Sequence, residues 1–206
     1  MKEYTTVKHF ARYEFEERKS EFIGHAMPVS NEEEAIAFVK KIKSEYPDAK
    51  HNVYAYVVRE NSLSRYSDDH EPQGTAGLPV LDVIRKSGCT DVAIVVTRYF
   101  GGILLGTGGL VRAYTQAAKE ALLSAEVVTY RMHTVHKVKC SYSDYNKIVA
   151  WAADNNVRME DAAFADRIEF FAIILNERNE WFVKGLVELC NGRAEIEKIG
   201  ERYDAE

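Results

Sequence analysis

The chain has 206 residues, enough to close one large hydrophobic core or two small ones. Hydrophobic residues make up 46% and charged residues 29%, the balance of an ordinary globular protein rather than a disordered or fibrous one. With 27 basic against 32 acidic residues the formal charge is -5, which argues against wholesale coating of nucleic acid or of an anionic membrane, and no apolar run reaches the ~18 residues of a membrane span.

Strand-like segments near Tyr13-Glu-Phe15 and over Ser20 to Met27 open the chain. Ser30 and Glu33 have the spacing of a capping box, and Ala35, Phe38, Val39, Ile42 and Tyr46 mark one apolar face of the helix that follows, before Pro47 stops it. Asn52 to Val58 reads as a strand, and Arg59 to Gly74 as a polar loop. Pro79 suits the first residue of a helix that buries Val80, Leu81 and Ile84 and ends at Gly88. Asp91 to Thr97 is apolar on both faces and predicts a central strand. A glycine-rich loop follows, and Thr107 can cap a helix to about Ala125 on which Gly109, Ala113, Ala117 and Ala121 form a smooth stripe for close packing, with Arg112, Gln116 and Lys119 opposite.

From Val127 to Arg131 the pattern starts afresh, giving an expected division into residues 1–130 and 131–206. A strand from Thr134 to Tyr142, a helix capped by Ser143 or Asp144, strands over 158–165 and 168–175, a helix over 180–190 and a strand over 194–199 make the order βαββαβ, the ferredoxin-like split. His133 and His136 would point to opposite faces of their strand and so make no metal pair. The halves carry 16 basic and 18 acidic, and 11 and 14, giving net -2 and -3, so neither is a basic domain. Cys89, Cys140 and Cys190 are an odd number with no CxxC, which fits buried thiols in a reducing compartment. The opening MKEYTTVKHFARYEFEERKSEF is too charged for a signal sequence, and a cytoplasmic location is expected.

The stretch YFGGILLGTGGL puts five of twelve glycines between Gly101 and Gly109. Gly101 and Gly106 have P-loop spacing, but Thr107 and Gly108 stand where a Lys and a Ser or Thr would hold phosphate and magnesium. Val111 likewise stands where GxGxxG needs its third glycine. The loop, with Gly102 among its glycines, therefore reads first as a turn with positive φ angles and close backbone approach. Asp68, Asp69 and Glu71 lack the ligand number a hard cation requires, so no metal is expected, and no cofactor. They read as a solvated acidic loop, with His51 and His70 as polar anchors. Lys19, Arg65, Tyr66, Arg98, Tyr99 and Arg112 sit at element ends or in loops, where an Arg can fork onto phosphate or carboxylate and a Tyr can stack on a base. Arg98 paired with Asp68 or Asp69 is the competing structural role.

Four stretches carry a resemblance: Lys19-Ser-Glu-Phe22, Ala49 to Tyr56, Arg65 to Gly77, and Val96 to Ala113. Together and in this order they resemble the Impact family, in its bacterial YigZ-type branch, over residues 1 to about 130. The resemblance implies an α+β fold, with a two-layer α/β domain like domain IV of elongation factor G, followed by a ferredoxin-like domain similar to that factor's domain V. It also implies a non-enzymatic regulator linked to translation, whose partner would be ribosome, RNA or a translation-associated protein. Lys19, His51, Arg65, Asp68, Asp69, Arg98, Tyr99, Arg112 and the loop glycines Gly101, Gly102 and Gly106 are then the candidate binding residues. Arg65, Arg98, Arg112 and Lys19 should converge on one side. The alternative is an enzyme that binds a nucleotide or phosphate ligand through the glycine-rich loop.

Overall fold

The computed structural model describes residues 3–205, the Asn61 side chain excepted. They form two compact units, one of Tyr4–Thr129 and one that runs from Tyr130 and includes Glu3. In chain order the elements are β1 (Glu3–Val7), β2 (Ala11–Glu17), β3 (Ser20–Pro28), α1 (Glu32–Glu45), β4 (His51–Val58), β5 (Leu63–Ser67), α2 (Gly77–Ser87), β6 (Val92–Tyr99) and α3 (Gly106–Ser124). They continue with β7 (Val127–Cys140), α4 (Tyr142–Asp154), β8 (Arg158–Phe164), β9 (Ile168–Leu175), α5 (Asn179–Leu189) and β10 (Glu195–Ala205). The class is α+β.

In the first unit the order β2-β3-β6-β4-β5 makes an antiparallel sheet. β6 is its centre and is buried from Val92 to Arg98, as its two-sided apolar sequence requires. Because side chains alternate, β6 divides its residues between two cores. Val92, Ile94 and Val96 join the core beneath α2 and α3, whereas Ala93 and Val95 join the one beneath α1. Helices thus cover both faces, and α1 adds a layer to the two expected, because Phe38, Val39 and Ile42 must bury their own stripe. On the other face the small residues of α3 allow tight seating. A Cβ on Gly24 of β3 would lie 2.4 Å from the Ala117 carbonyl oxygen.

Several local expectations shift. The α1 cap is Asn31, whose side chain accepts from the Glu34 amide while the Glu34 carboxylate accepts from the Ser30 amide, one residue on from the expected box. β5 lies inside the segment read as a loop; its residues are mostly exposed or half-buried at a sheet edge, so they lack an apolar signature. Pro79 is the third rather than the first residue of α2, and α3 begins at Gly106 with Leu105 before it and no side-chain cap from Thr107. Ser141, not Ser143 or Asp144, caps α4 by accepting from the Asp144 amide.

The second unit has the sheet order β10-β7-β9-β8, all antiparallel, with α4 and α5 packed on it, which is the ferredoxin-like arrangement. Val127 to Arg131 is strand throughout, the opening of β7. Among the described residues no helix is long and apolar enough to cross a membrane. All three cysteines are buried free thiols.

Candidate binding site at the glycine loop

The loop from Ser67 to Gly77 is built around its carboxylates. Asp68 accepts from the amides of Gly74, Ala76 and Gly77 at 2.9, 3.1 and 2.8 Å, so it satisfies donors at the start of α2 that no helical carbonyl can reach. Gly77 is needed beside it, since a Cβ there would sit 2.6 Å from the Ser67 backbone. Asp69 takes positive φ (43°) and ties the loop to two elements, accepting from Lys43 of α1 at 2.7 Å and from the Asn52 amide of β4 at 2.6 Å. Burial works to raise the Asp69 carboxyl, but Lys43 and the Asn52 amide outweigh it and hold it below the usual carboxylate range. These two carboxylates are architecture, not the solvated charges expected.

Glu71 turns inward. Its Oε1 accepts from Arg98 Nη1 at 2.6 Å and from the Tyr114 hydroxyl at 2.7 Å, and the side chains of the ion pair are only 4% and 6% exposed. His51 stands beside them, its Nδ1 2.7 Å from the Asp69 carbonyl oxygen and its Nε2 3.7 Å from Glu71. Burial, with the Glu71 charge and hydrogen bond, pushes the Tyr114 hydroxyl far up, so it stays a donor. The partner of Arg98 is therefore Glu71, not Asp68 or Asp69. Phe22 and Phe100 lie 5.4 and 5.5 Å from the guanidinium.

Above this cluster lies a cleft of 430 Å³, lined by Lys50, His51, Glu71, Pro72 and Arg98 and by the glycine-loop side with Phe100, Leu104, Leu105 and Leu110. Gly102 and Gly106 take φ of 82° and 71°, and a Cβ on Gly101 would fall 1.8 Å from the Lys19 carbonyl oxygen. Left-handed turns and one very close backbone approach account for these glycines. The loop carries its apolar side chains outward: Leu104 is 80% exposed, Phe100 46% and Ile103 41%.

Cations surround that tip. Arg18 Nη1 donates to the Leu104 carbonyl at 3.4 Å, the Lys19 backbone packs on Gly101, Lys50 lines the cleft, and the Arg112 guanidinium lies 3.7 Å from where a Gly108 Cβ would be. Among the described residues Lys19, Lys50 and Arg112 have no carboxylate within ion-pair distance, and Arg18 has only Glu17 at 4.0 Å. The expected convergence of four cations is thus redrawn. Lys19 and Arg112 come to the glycine loop, Arg98 is buried beneath it, and Arg65 sits on β5, the opposite sheet edge from the β2–β3 hairpin, with Glu32 at 3.9 Å. Tyr99 alternates to the α1 face opposite Glu21 and does not line the cleft. Tyr114 and Lys50 are additions. A lone aromatic hydroxyl on the small-residue face of α3 was the available signal, because a buried Tyr needs a polar partner. No three His, Cys, Asp or Glu among the described residues are disposed to hold a metal.

Comparison with known proteins agrees with this layout. Residues 18–122 match the Impact N-terminal domain and residues 138–193 a domain of unknown function, DUF1949. YvyE of Bacillus subtilis, an IMPACT family member, is 38% identical over 199 residues, covering 96% of this chain and 91% of its own. An IMPACT family member of Haemophilus influenzae is 36% identical, covering 98% and 100%. A crystal structure of a hypothetical protein superposes with a TM-score of 0.61 at 29% identity over 97% of this chain and 98% of its own. On both counts, domain match and full-length relatives, the chain belongs to the IMPACT family.

Proposed function

We propose that the protein is a cytoplasmic, translation-linked regulator that works by binding, with the glycine-loop tip and its cleft as the contact surface. The observation that carries this reading is the contrast of an outward apolar tip with surrounding cations, of which Lys19, Lys50 and Arg112 have no carboxylate partner among the described residues, on a chain of net charge -5. Regulation of translation is what the Impact resemblance implies. The buried cluster favours a binding role over catalysis, since Glu71 is occupied by Arg98 and Tyr114. Sedimentation of cell extract through a gradient at low and high salt tests it. Salt-sensitive co-migration with ribosomal particles or their associated factors is expected. A protein that stays at the top of the gradient at every salt concentration would overturn the reading.

A second reading, an enzyme binding a nucleotide or phosphate ligand, draws on one observation: α3 begins beside the cleft with no side-chain cap on its first amides. Calorimetry with ATP and magnesium separates the two. Heat of binding at physiological concentration would favour the enzyme, and none at millimolar nucleotide would remove it.

A further inference from the structure

We propose that the cleft receives one large apolar side chain of an acidic protein segment, whose flanking carboxylates pair with Lys50, Arg112, Lys19 and Arg18. The inference rests on the binding-surface reading above and names the chemistry of the partner. Three features of the site define it.

The first is the cleft wall. Leu104, Leu105, Leu110 and Phe100 supply carbon on the glycine-loop side, and 430 Å³ is room for a buried anchor. A nucleobase placed there would leave whatever edge it turns to this wall facing leucines, without a hydrogen-bond partner.

The second is the floor. Glu71 accepts from both Arg98 and Tyr114, so the buried guanidinium under the cleft is neutralised, although its Nε donor has no partner, and the floor presents no net charge to a phosphate. Charge recognition is therefore left to the rim.

The third is the rim itself. Its four cations belong to three separate segments, the β2–β3 hairpin, the turn before β4 and α3, and they flank the tip rather than a continuous groove. The carboxylates close by in sequence do not cancel them. Glu21 lies on the α1 face with Tyr99, Glu71 is consumed inside, and Glu17 faces Arg18 alone. Discrete cations around an apolar hole match an anchor residue with acidic neighbours. A nucleic-acid backbone would call instead for a charged track with several stacking rings, and Phe100 is the one exposed ring on the tip.

The experiment is selection from a randomised 12-residue peptide display library on the full-length protein, with subtraction on the K50E/R112E double variant. Both positions are exposed, so that variant should fold. The enriched peptides are then measured by fluorescence anisotropy beside a 12-nucleotide oligouridine. Enrichment of one large apolar residue flanked by Asp and Glu is expected. Binding should fall about tenfold or more on K50E/R112E and on Leu104→Asp, weaken with salt, and stay unchanged on Arg65→Glu at the far sheet edge. Three results would overturn the inference: basic or purely apolar consensus sequences, equal recovery on the double variant, or oligouridine binding that depends on Lys50 and Arg112 while no peptide does. If co-migration with ribosomal particles persists while no acidic peptide is enriched, the partner chemistry fails and the regulatory reading stands. If acidic peptides bind but co-migration is absent at all salts, the link to translation fails and this inference stands.

Discussion

Two loops border one cleft and use charge in opposite ways. The acidic loop, Ser67 to Gly77, turns each carboxylate inward: Asp68 onto the start of α2, Asp69 onto α1 and β4, and Glu71 onto Arg98. The glycine loop keeps its backbone tight and leaves its apolar side chains and surrounding cations to solvent. Paired, buried charge holds the architecture; unpaired charge around an exposed apolar tip is available to a partner. Residues of the first kind should fail as stability defects, and those of the second as binding defects on a fully folded protein.

The largest expected effect comes from splitting the buried pair. Glu71→Ala leaves the Arg98 guanidinium uncompensated and removes the Tyr114 acceptor, and should cost ~3–5 kcal/mol in denaturant unfolding. If the pair is purely architectural, Glu71→Leu with Arg98→Met and Tyr114→Phe, which also removes the hydroxyl that loses its acceptor, should recover most of that loss. Recovery of stability without recovery of binding would move the pair to the binding side of the comparison.

His25 shows what an unpartnered buried polar group costs in the same unit. Both of its ring nitrogens lack a hydrogen-bond partner, Phe10 and Tyr46 pack on the ring, and burial, with Arg12 adding repulsion, pushes its pKa down to about 4. The unfolded ring takes a proton near 6.5, so between pH 4 and 6.5 the unfolded state binds more protons. Stability is then full above pH 6.5 and falls by about 3 kcal/mol as pH drops toward 4. His25→Leu should flatten that slope in unfolding curves taken across the range. Asp69, whose carboxyl is depressed, contributes stability present above ~3.9 and lost only as pH falls through its lower folded value.

Smaller effects sharpen the contrast from the glycine side. Gly101→Ala drives a methyl into the Lys19 backbone and should cost ~1–3 kcal/mol, readable as a lowered melting temperature. Asp68→Ala, which strips an acceptor from three amides, should cost ~1–2 kcal/mol. Lys50→Glu and Arg112→Glu should move stability by no more than ~0.5 kcal/mol. A larger loss there would mean that the rim cations have a structural role and would erase the distinction between the two loops.

Periodicity made much of the fold legible. The two-sided apolar run of β6, the alanine stripe of α3 and the βαββαβ order of the second unit each depend on spacing, and spacing survives in sequence. The exposed edge strand β5 did not show, because what makes it a strand is its pairing with β4 rather than its own side chains. Cap positions slipped by a residue or more for a related reason: Asn31 and Ser141 stand next to other residues that could have capped as well. In the candidate site, the gathering of Lys19 and Arg112 was readable, but the inward turn of Glu71 was not. That turn depends on a partner 27 residues away on β6 and another 43 residues away on α3. Lys50 gave no signal of its own, being one lysine among many until the chain brought it to the cleft.

The seat of α3 on Gly24 has a kinetic consequence. Because the middle of the helix rests directly on β3 at Gly24, and the Phe22 and Tyr114 rings pack edge to face nearer its start, the loop that leads into α3 is mounted on a stiff ledge. A partner arriving there meets a preformed shape and gives up little freedom to ordering on this side. The encounter rate should then follow ionic strength through the rim charges, while residence time follows how well the anchor fits.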